Sequence, residues 1–328
     1  MEGAYSLMRT GSSLDIRSLE VFLAICDAGG FGAAARALGV SQSAVSQQIS
    51  RLEAGLDIKL LERDVHGFRI LPAGRTLQHH ARRVMQEVAD TQRAMFEFSG
   101  GKLANLSVRI MDSLSKTLSS EVAYALQGTA EQMQISAAAV HRHREDFLSG
   151  KADILITSLE FDQRDFEIHL IAIEPLVLVV PKGAISADEF ELDDLASALP
   201  FVHYADQRYL AAITDRYLAR QMVNVVRSIT VDQATAVIDT VRYGHAWAIT
   251  SPFSLLDPTF SADEIDVLSL PRPVPTRPIS LVSRPGPLSK IAIALASVCR
   301  EHLHKEMQAH LYGIVPQQSL PEIARQVD

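Results

Sequence analysis

The sequence predicts an α+β multidomain chain: a small helical module with a strand hairpin over residues 14–71, one long linker helix over 72–99, and a two-lobed α/β domain over 103–310. Three observations carry that expectation. The first hundred residues place apolar side chains at helical spacing, interrupted by a glycine turn. Residues 72–98 repeat apolar positions in alternating steps of four and three. Beyond Gly100 and Gly101, a candidate hinge, short apolar strands alternate with helical stretches. Residues 1–13 read as a flexible start and 311–328 as a C-terminal tail that is either disordered or covers a neighbouring subunit.

Composition narrows the classes. With 328 residues and 47% hydrophobic side chains, the chain can bury a sizeable core. Cys26 and Cys299 form neither a disulfide framework nor a zinc motif, which suits a reducing cytoplasm. Cys26, on the apolar side of a helix, reads as packing rather than a redox sensor. No basic start precedes an apolar core and no run reaches membrane-span length, so a cytoplasmic protein without a membrane partner is expected. The net charge of −8 is unevenly spread: residues 1–100 hold 11 Lys+Arg against 11 Asp+Glu, so the later residues carry the whole excess. A nucleic-acid contact therefore belongs to the neutral first module and gains strength from two copies.

Residues 14–28 carry Leu19, Phe22, Leu23 and Cys26 on one helical face, a floor for the next two helices. The stretch FGAAARALGVSQSAVSQQISRL, 31–52, reads as a helix-turn-helix. Ala35 allows close helix crossing, Gly39 takes the turn, and Ser41 caps the second helix, which Gly55 should end. Val45, Ile49 and Leu52 face inward. Ser43, Gln47 and Ser50 then point outward, flanked by Ser46 and Arg51, with Ser41 and Gln42 at the start. Such a face suits the DNA major groove, where Gln pairs with adenine, Arg with guanine or phosphate, and Ser with either.

GGFGAAA, 29–35, also fits the dinucleotide pattern G-x-G-x-x-A, but helical spacing before and after it disfavours the required βαβ unit. Residues 59–71 read as two strands joined at 65–67, a β-wing. Arg63, His66 and Arg69 would project from it towards phosphates or the minor groove.

Residues 14–98 resemble the N-terminal region of LysR-type transcriptional regulators. The residues carrying the likeness are LEVFLAICDAGGFGAAARALGVSQSAVSQQISRLEAGLDIKLLERD, then ILPAG and a long helix. Gly32, Ser43, His66 and Leu71 depart from residues usual in that family, which bears on the DNA contacts rather than the fold. The resemblance implies a winged helix-turn-helix that binds double-stranded promoter DNA.

Pro72 stands in the first turn of the long helix, where its missing N–H costs little. Leu77, Ala81, Val84, Val88 and Met95 lie along the heptad-like seam, with Thr91 and Phe98. A second copy would cover it, giving a homodimer or homotetramer and an interrupted inverted repeat as target.

In the second domain, strands are expected at 106–110, 134–138, 153–157, 168–173, 176–180, 201–204, 226–230, 246–250, 267–270 and 279–283. Helices are expected at 118–128 and 144–150, with a closing helix at 288–309. Crossovers near 174–176 and 273–278 divide lobe I (103–174 and 275–310) from lobe II (175–274). This order resembles the effector-binding domain of the same family, similar in fold to periplasmic binding proteins. Ligands of open α/β lobes meet strand ends and helix N-termini. That rule singles out Ser113 and Ser115, with Thr117, then His141, His203, Tyr204 and Thr250, with Trp247 nearby. The expected ligand is a small anion such as a carboxylate.

No G-x-S-x-G, H-E-x-x-H or Walker loop is present, so neither an enzyme nor a cofactor or metal is expected. The expected role is a DNA-binding regulator responding to a small-molecule effector, with RNA polymerase as a candidate partner. Its rivals are a solute-binding protein without DNA activity and a nucleotide-dependent enzyme resting on GGFGAAA. Effector, target genes and the sign of regulation are not legible.

Overall fold

The computed structural model describes residues 14–325 apart from 65–66, 99–101, 186–189, 206–208, 227, 245 and 257–262, and only the backbone at some further positions, Arg63 and His141 among them. The flexible start at 1–13, the Gly100–Gly101 hinge and His66 lie outside the described residues. The chain divides into two compact units, the first ending at Met95 and also taking in Leu148–Gly150, the second holding the rest from Phe96.

In the first unit, α1 (Ile16–Ala28) opens on a reciprocal cap: Asp15 Oδ1 accepts from the Ser18 N–H at 2.6 Å and Ser18 Oγ accepts from the Asp15 N–H at 3.0 Å. α2 (Phe31–Leu38) ends at Gly39, whose φ of 65° disfavours any β-carbon. α3 (Gln42–Leu56) opens on Ser41, which accepts from the Ala44 N–H at 3.2 Å. Val45, Ile49 and Leu52 bury against Ala34, Ala35 and the Phe22–Ile25 face of α1. GGFGAAA is thus the turn and first helix of a helix pair, and the element directly before it is the helix α1.

α3 continues through Gly55, where the sequence predicts a stop, and leaves at Asp57 with φ 52°. Glu53 explains the extension. Its buried carboxylate accepts from the Leu60 and Leu61 N–H groups at 2.8 and 3.1 Å and from Lys59 at 2.6 Å, pinning the last turn to the hairpin. A helical glycine costs roughly 1 kcal/mol, less than a set of charged hydrogen bonds contributes.

β1 (Leu61–Asp64) and β2 (Gly67–Ile70) pair antiparallel, and α4 (Pro72–Phe98) follows. A β-carbon on Gly74 would lie 2.3 Å from the Leu60 carbonyl oxygen, so glycine lets α4 start against the hairpin. The α4 seam is divided in a way the heptad pattern does not show. Ala81 is buried within its own chain and so is not free for a second copy, while Leu77 packs on the helix-hairpin core and is only partly buried. Val84 and Met95 are 44% and 59% exposed, and Val88 is half-buried.

The second unit runs β3 (Leu103–Met111), α5 (Asp112–Ala125), β4 (Ala130–Ala138), α6 (Val140–Leu148), β5 (Ile154–Thr157), β6 (Glu167–Pro175), β7 (Val177–Pro181), α7 (Leu192–Ala198), β8 (Val202–Tyr204), α8 (Tyr209–Arg220), β9 (Ile229–Val231), α9 (Ala234–Gly244), β10 (Ala248–Thr250), β11 (Ile265–Ser269), β12 (Thr276–Ser283), α10 (Ser289–His310) and β13 (Glu322–Ile323). One sheet has the order β13-β6-β12-β5-β3-β4; a second has β10-β7-β11, and β8-β9 joins it through the Phe201–Trp247 bridge. Chain passes between the sheets at Pro175–Leu176 and again between β11 and β12. In the larger sheet, Ile154 and Ile156 face the main core, whereas Leu155 and Val282 face a smaller cluster with Phe147, the two-residue period of a sheet covered on both faces.

Two expectations are corrected. The helix placed at 118–128 starts at Asp112 and the one at 144–150 starts at Val140. The serine-rich turn has a non-helical composition, but Asp112 Oδ1 accepts from the Ser113 N–H at 3.1 Å, and Ser115 and Ser119 bond back to carbonyls at 3.0 and 2.5 Å. The tail, expected to be disordered or to cover a neighbour, packs on its own chain over its described residues, 311–325. Leu311 and Val315 are buried, β13 pairs with the edge of β6, and the Ala324 N–H bonds to the Ile171 carbonyl at 2.8 Å. This covers an edge strand that would otherwise expose unpaired backbone groups.

Candidate functional site

Turning Val45, Ile49, Leu52 and Glu53 inward leaves Gln42, Ser43, Ser46, Gln47, Ser50 and Arg51 lining an open notch of about 610 Å³ on the outer side of α3. The hydroxyls there are partly committed. Ser41 caps the helix, Ser43 Oγ lies 2.9 Å from Ser41 Oγ, and Ser50 donates to the Ser46 carbonyl at 3.0 Å. Gln42, Gln47 and Arg51 are exposed, and among the described residues they have no protein partner. The long donors and acceptors are therefore the available ones, while the serines shape the helix. On the hairpin, Arg69 is paired with Glu62 across the strands; both are more than half exposed, so a phosphate can compete for Arg69 at little cost. The side chains of Arg63 and His66 lie outside the described residues.

A second constellation forms in the second unit where the two sheets meet. Glu174, on β6, and Arg277, opposite it on β12, make a buried ion pair, with side chains 0% and 2% exposed. Ser251 donates to Glu174 at 2.6 Å and accepts from Arg277 at 2.9 Å, and the Phe253 N–H reaches Glu174 at 3.4 Å. Arg277 also donates to Ser113 Oγ, in the first turn of α5, at 3.1 Å. Tyr204 Oη and Thr250 Oγ1 lie 2.7 Å apart beside this network; burial pushes the phenol's pKa up, while the Arg277 charge pulls it down.

Of the expected cleft residues, Ser113, Tyr204 and Thr250 are thus brought together. Others are not. Ser115 turns to the Asp112 carbonyl. Trp247 is fully buried in the core against Phe201, its indole N–H on the Leu199 carbonyl at 3.2 Å, because its own backbone, just ahead of β10, bridges to Phe201 and so joins β8 to the second sheet. His203 faces away from Tyr204, as neighbours on a strand must, with its ring against Phe201 and Nδ1 3.7 Å from Asp215. The His141 side chain lies outside the described residues. Sequence reasoning misses Glu174 and Arg277. The available signal is a lone acid in IAIEPLVLVV and a lone base in TRPISLVS, opposite charges in two apolar runs that have to pair if both are buried. Among the described residues no group of three His, Cys, Asp or Glu side chains is placed to hold a metal ion, and no helix is long and apolar enough to cross a membrane.

With this geometry in view, the comparisons with known proteins are direct. Residues 16–75 match the model of the bacterial regulatory helix-turn-helix protein, lysR family, and residues 100–304 match that of the LysR substrate binding domain. The chain is 30% identical over 190 residues to the HTH-type transcriptional regulator ShiR of Corynebacterium glutamicum, covering 56% of this chain and 64% of ShiR. It is 30% identical over 173 residues to a probable hydrogen peroxide-inducible genes activator of Mycobacterium xenopi, covering 51% of this chain and 90% of that one. Among solved structures, a full-length OxyR variant from Pseudomonas aeruginosa superimposes with a TM-score of 0.65 at 20% identity, covering 88% of this chain and 95% of OxyR, a likeness of fold. The two family models together span most of the chain, in the order of the two units described above, and the chain belongs to the LysR family of bacterial regulatory helix-turn-helix proteins.

Proposed function

We propose that this chain is a transcriptional regulator that binds promoter DNA through α3, as a dimer or tetramer, and that a small anionic metabolite between the two lobes shifts its arrangement on DNA. The observation that carries the DNA reading is the outward face of α3, where Gln42, Gln47 and Arg51 stand unpartnered among the described residues above a buried apolar stripe. Gln and Arg are the side chains that read adenine and guanine edges in the major groove. The anion reading is supported by the N-terminus of α5, Ser113 and the Arg277 guanidinium at one corner, with Glu174 as the internal competitor an effector carboxylate would meet. Only a ligand with different affinities for the two lobe arrangements would act on DNA.

The M. xenopi relative's name raises a second reading, a peroxide-sensitive thiol switch. Burial pushes the thiols of both Cys26 and Cys299 up to about 12, and the two lie in different units. Neither is the exposed, low-pKa thiolate that such a switch uses. The metabolite reading is preferred.

Duplexes enriched from random sequence by the wild-type protein, then titrated with a Gln47→Ala, Arg51→Ala variant, test the DNA reading. A loss of about ten-fold or more is expected; equal affinity would reject α3 as the reading helix. For the effector, thermal unfolding against a panel of small mono- and dicarboxylates should pick out one class whose stabilisation disappears in Ser113→Ala.

A further inference from the structure

We infer that Arg36, which lies on α2 and not on the recognition helix, is a phosphate-contact residue of the DNA interface, standing at its rim across the bare backbone of Gly32. The inference rests on the DNA reading above and extends it to a residue outside α3.

Gly32 and Arg36 lie one turn apart on the same face of α2. A β-carbon on Gly32 would meet Gln42 Oε1 at 3.5 Å and Arg36 Nη1 at 3.9 Å. The Gln42 amide, from the first turn of α3, and the Arg36 guanidinium therefore both lie across the same glycine. Gln42 also lines the notch with Ser43, Ser46, Gln47, Ser50 and Arg51. The Arg36 charge accordingly stands at the edge of that notch, at the end where α3 begins.

An exposed arginine is ordinary in itself, and among the described residues Arg75 and Arg83 of the same unit also lack a carboxylate partner; the combination of an open charge and a place beside the notch separates Arg36 and Arg51 from the other arginines. Arg17, Arg69 and Arg82 of the same unit are held by Glu20, Glu62 and Asp27. Among the described residues no carboxylate is paired with Arg36 or Arg51. These two cations bracket the notch. Nine residues separate Gln42, beside which Arg36 sits, from Arg51, roughly 13 Å at the rise of an α-helix. The major groove is about 12 Å wide, so Arg36 is placed to meet a phosphate wall at the edge of the groove while Gln42, Gln47 and Arg51 face the bases. In a unit whose formal charge sums to nearly zero, such placement matters more than the total.

The test measures binding against salt concentration by fluorescence anisotropy, using a duplex enriched by the wild-type protein and one of arbitrary sequence. Arg36→Ala, Arg36→Lys and Arg51→Ala are compared, each first shown to melt like the wild type. Arg36→Ala should make the slope of log K against log salt shallower by about 0.9 per half-site and weaken both duplexes by the same factor. Arg36→Lys should keep the slope. An unchanged slope and affinity for Arg36→Ala, with Arg51→Ala impaired, would overturn the inference and leave the DNA reading intact. A loss confined to the enriched duplex would overturn the phosphate assignment, since it would mean a base contact. Wild-type protein that binds neither duplex would sink the DNA reading itself.

Discussion

Glu53 shows how one side chain joins a recognition helix to its wing. Burial alone raises its pKa, yet Lys59 and the N–H groups of Leu60 and Leu61 outweigh burial and hold the carboxyl below its ordinary value. A group whose folded pKa is depressed adds stability above its unfolded pKa and loses it as pH falls through the folded one. Glu53→Gln should therefore destabilise the first unit by roughly 1–2 kcal/mol at neutral pH, and the difference should shrink as pH drops below about 4. Urea unfolding across a pH series reads this; a difference that stays constant into acid would show that the charge is irrelevant. The buried Glu174–Arg277 pair makes a different demand. Arg277→Met leaves an uncompensated buried carboxylate and should cost about 3–5 kcal/mol, whereas Glu174→Leu with Arg277→Met should recover most of the loss. If the double variant is no better than the single, the pair's electrostatics are not what the site requires. None of these three charges was legible in sequence, because a pattern of apolar and polar residues assigns charged side chains to the surface.

Elements were legible where one face is buried and the other wet. The i, i+4, i+7 stripe of α3 and the capping serine before it mark the recognition helix, whereas strand runs such as ILIT and VLVVP, buried on both faces, are legible as unbroken apolar stretches. Element ends were less legible. Gly55 reads as a stop, yet contacts from Glu53 carry the helix past it; the serines after Asp112 read as loop, yet their hydroxyls bond back into the helix. In the α4 seam, spacing identifies the apolar side chains but not which copy of the chain covers them. Ala81 is spent within the subunit and Leu77 partly so, which leaves Val84 and Met95 as the most exposed apolar side chains for assembly through α4. Val84→Asp with Met95→Asp should shift the protein to a smaller species in sedimentation equilibrium, with the melting behaviour of the first unit retained. An unchanged mass would remove α4 from the assembly.

On the scale of the whole molecule, the charge is divided by role. The neutral first unit carries the proposed DNA face, and the acidic remainder carries the lobes. The order of a helix-turn-helix, a wing, a long helix and two α/β lobes could be read directly because each has its own periodicity. The tail could not, since YGIVPQQSLPEIAR has no period, and only its contacts with the rest of the chain, such as the pairing of Glu322 and Ile323 with the β6 edge, set its course. The cleft was legible as a place, at strand ends and a helix N-terminus, but its residues were only partly so: Trp247 and His203 share strands with cleft residues and are turned into the core. Under the proposed function two copies of α3 read a divided site, and footprinting the purified protein at stated salt on DNA flanking its own gene, beside the Gln47→Ala, Arg51→Ala variant, is the test. Two protected half-sites on one face of the duplex, separated by whole helical turns and lost in the variant, are predicted; equal protection by the variant would contradict the account.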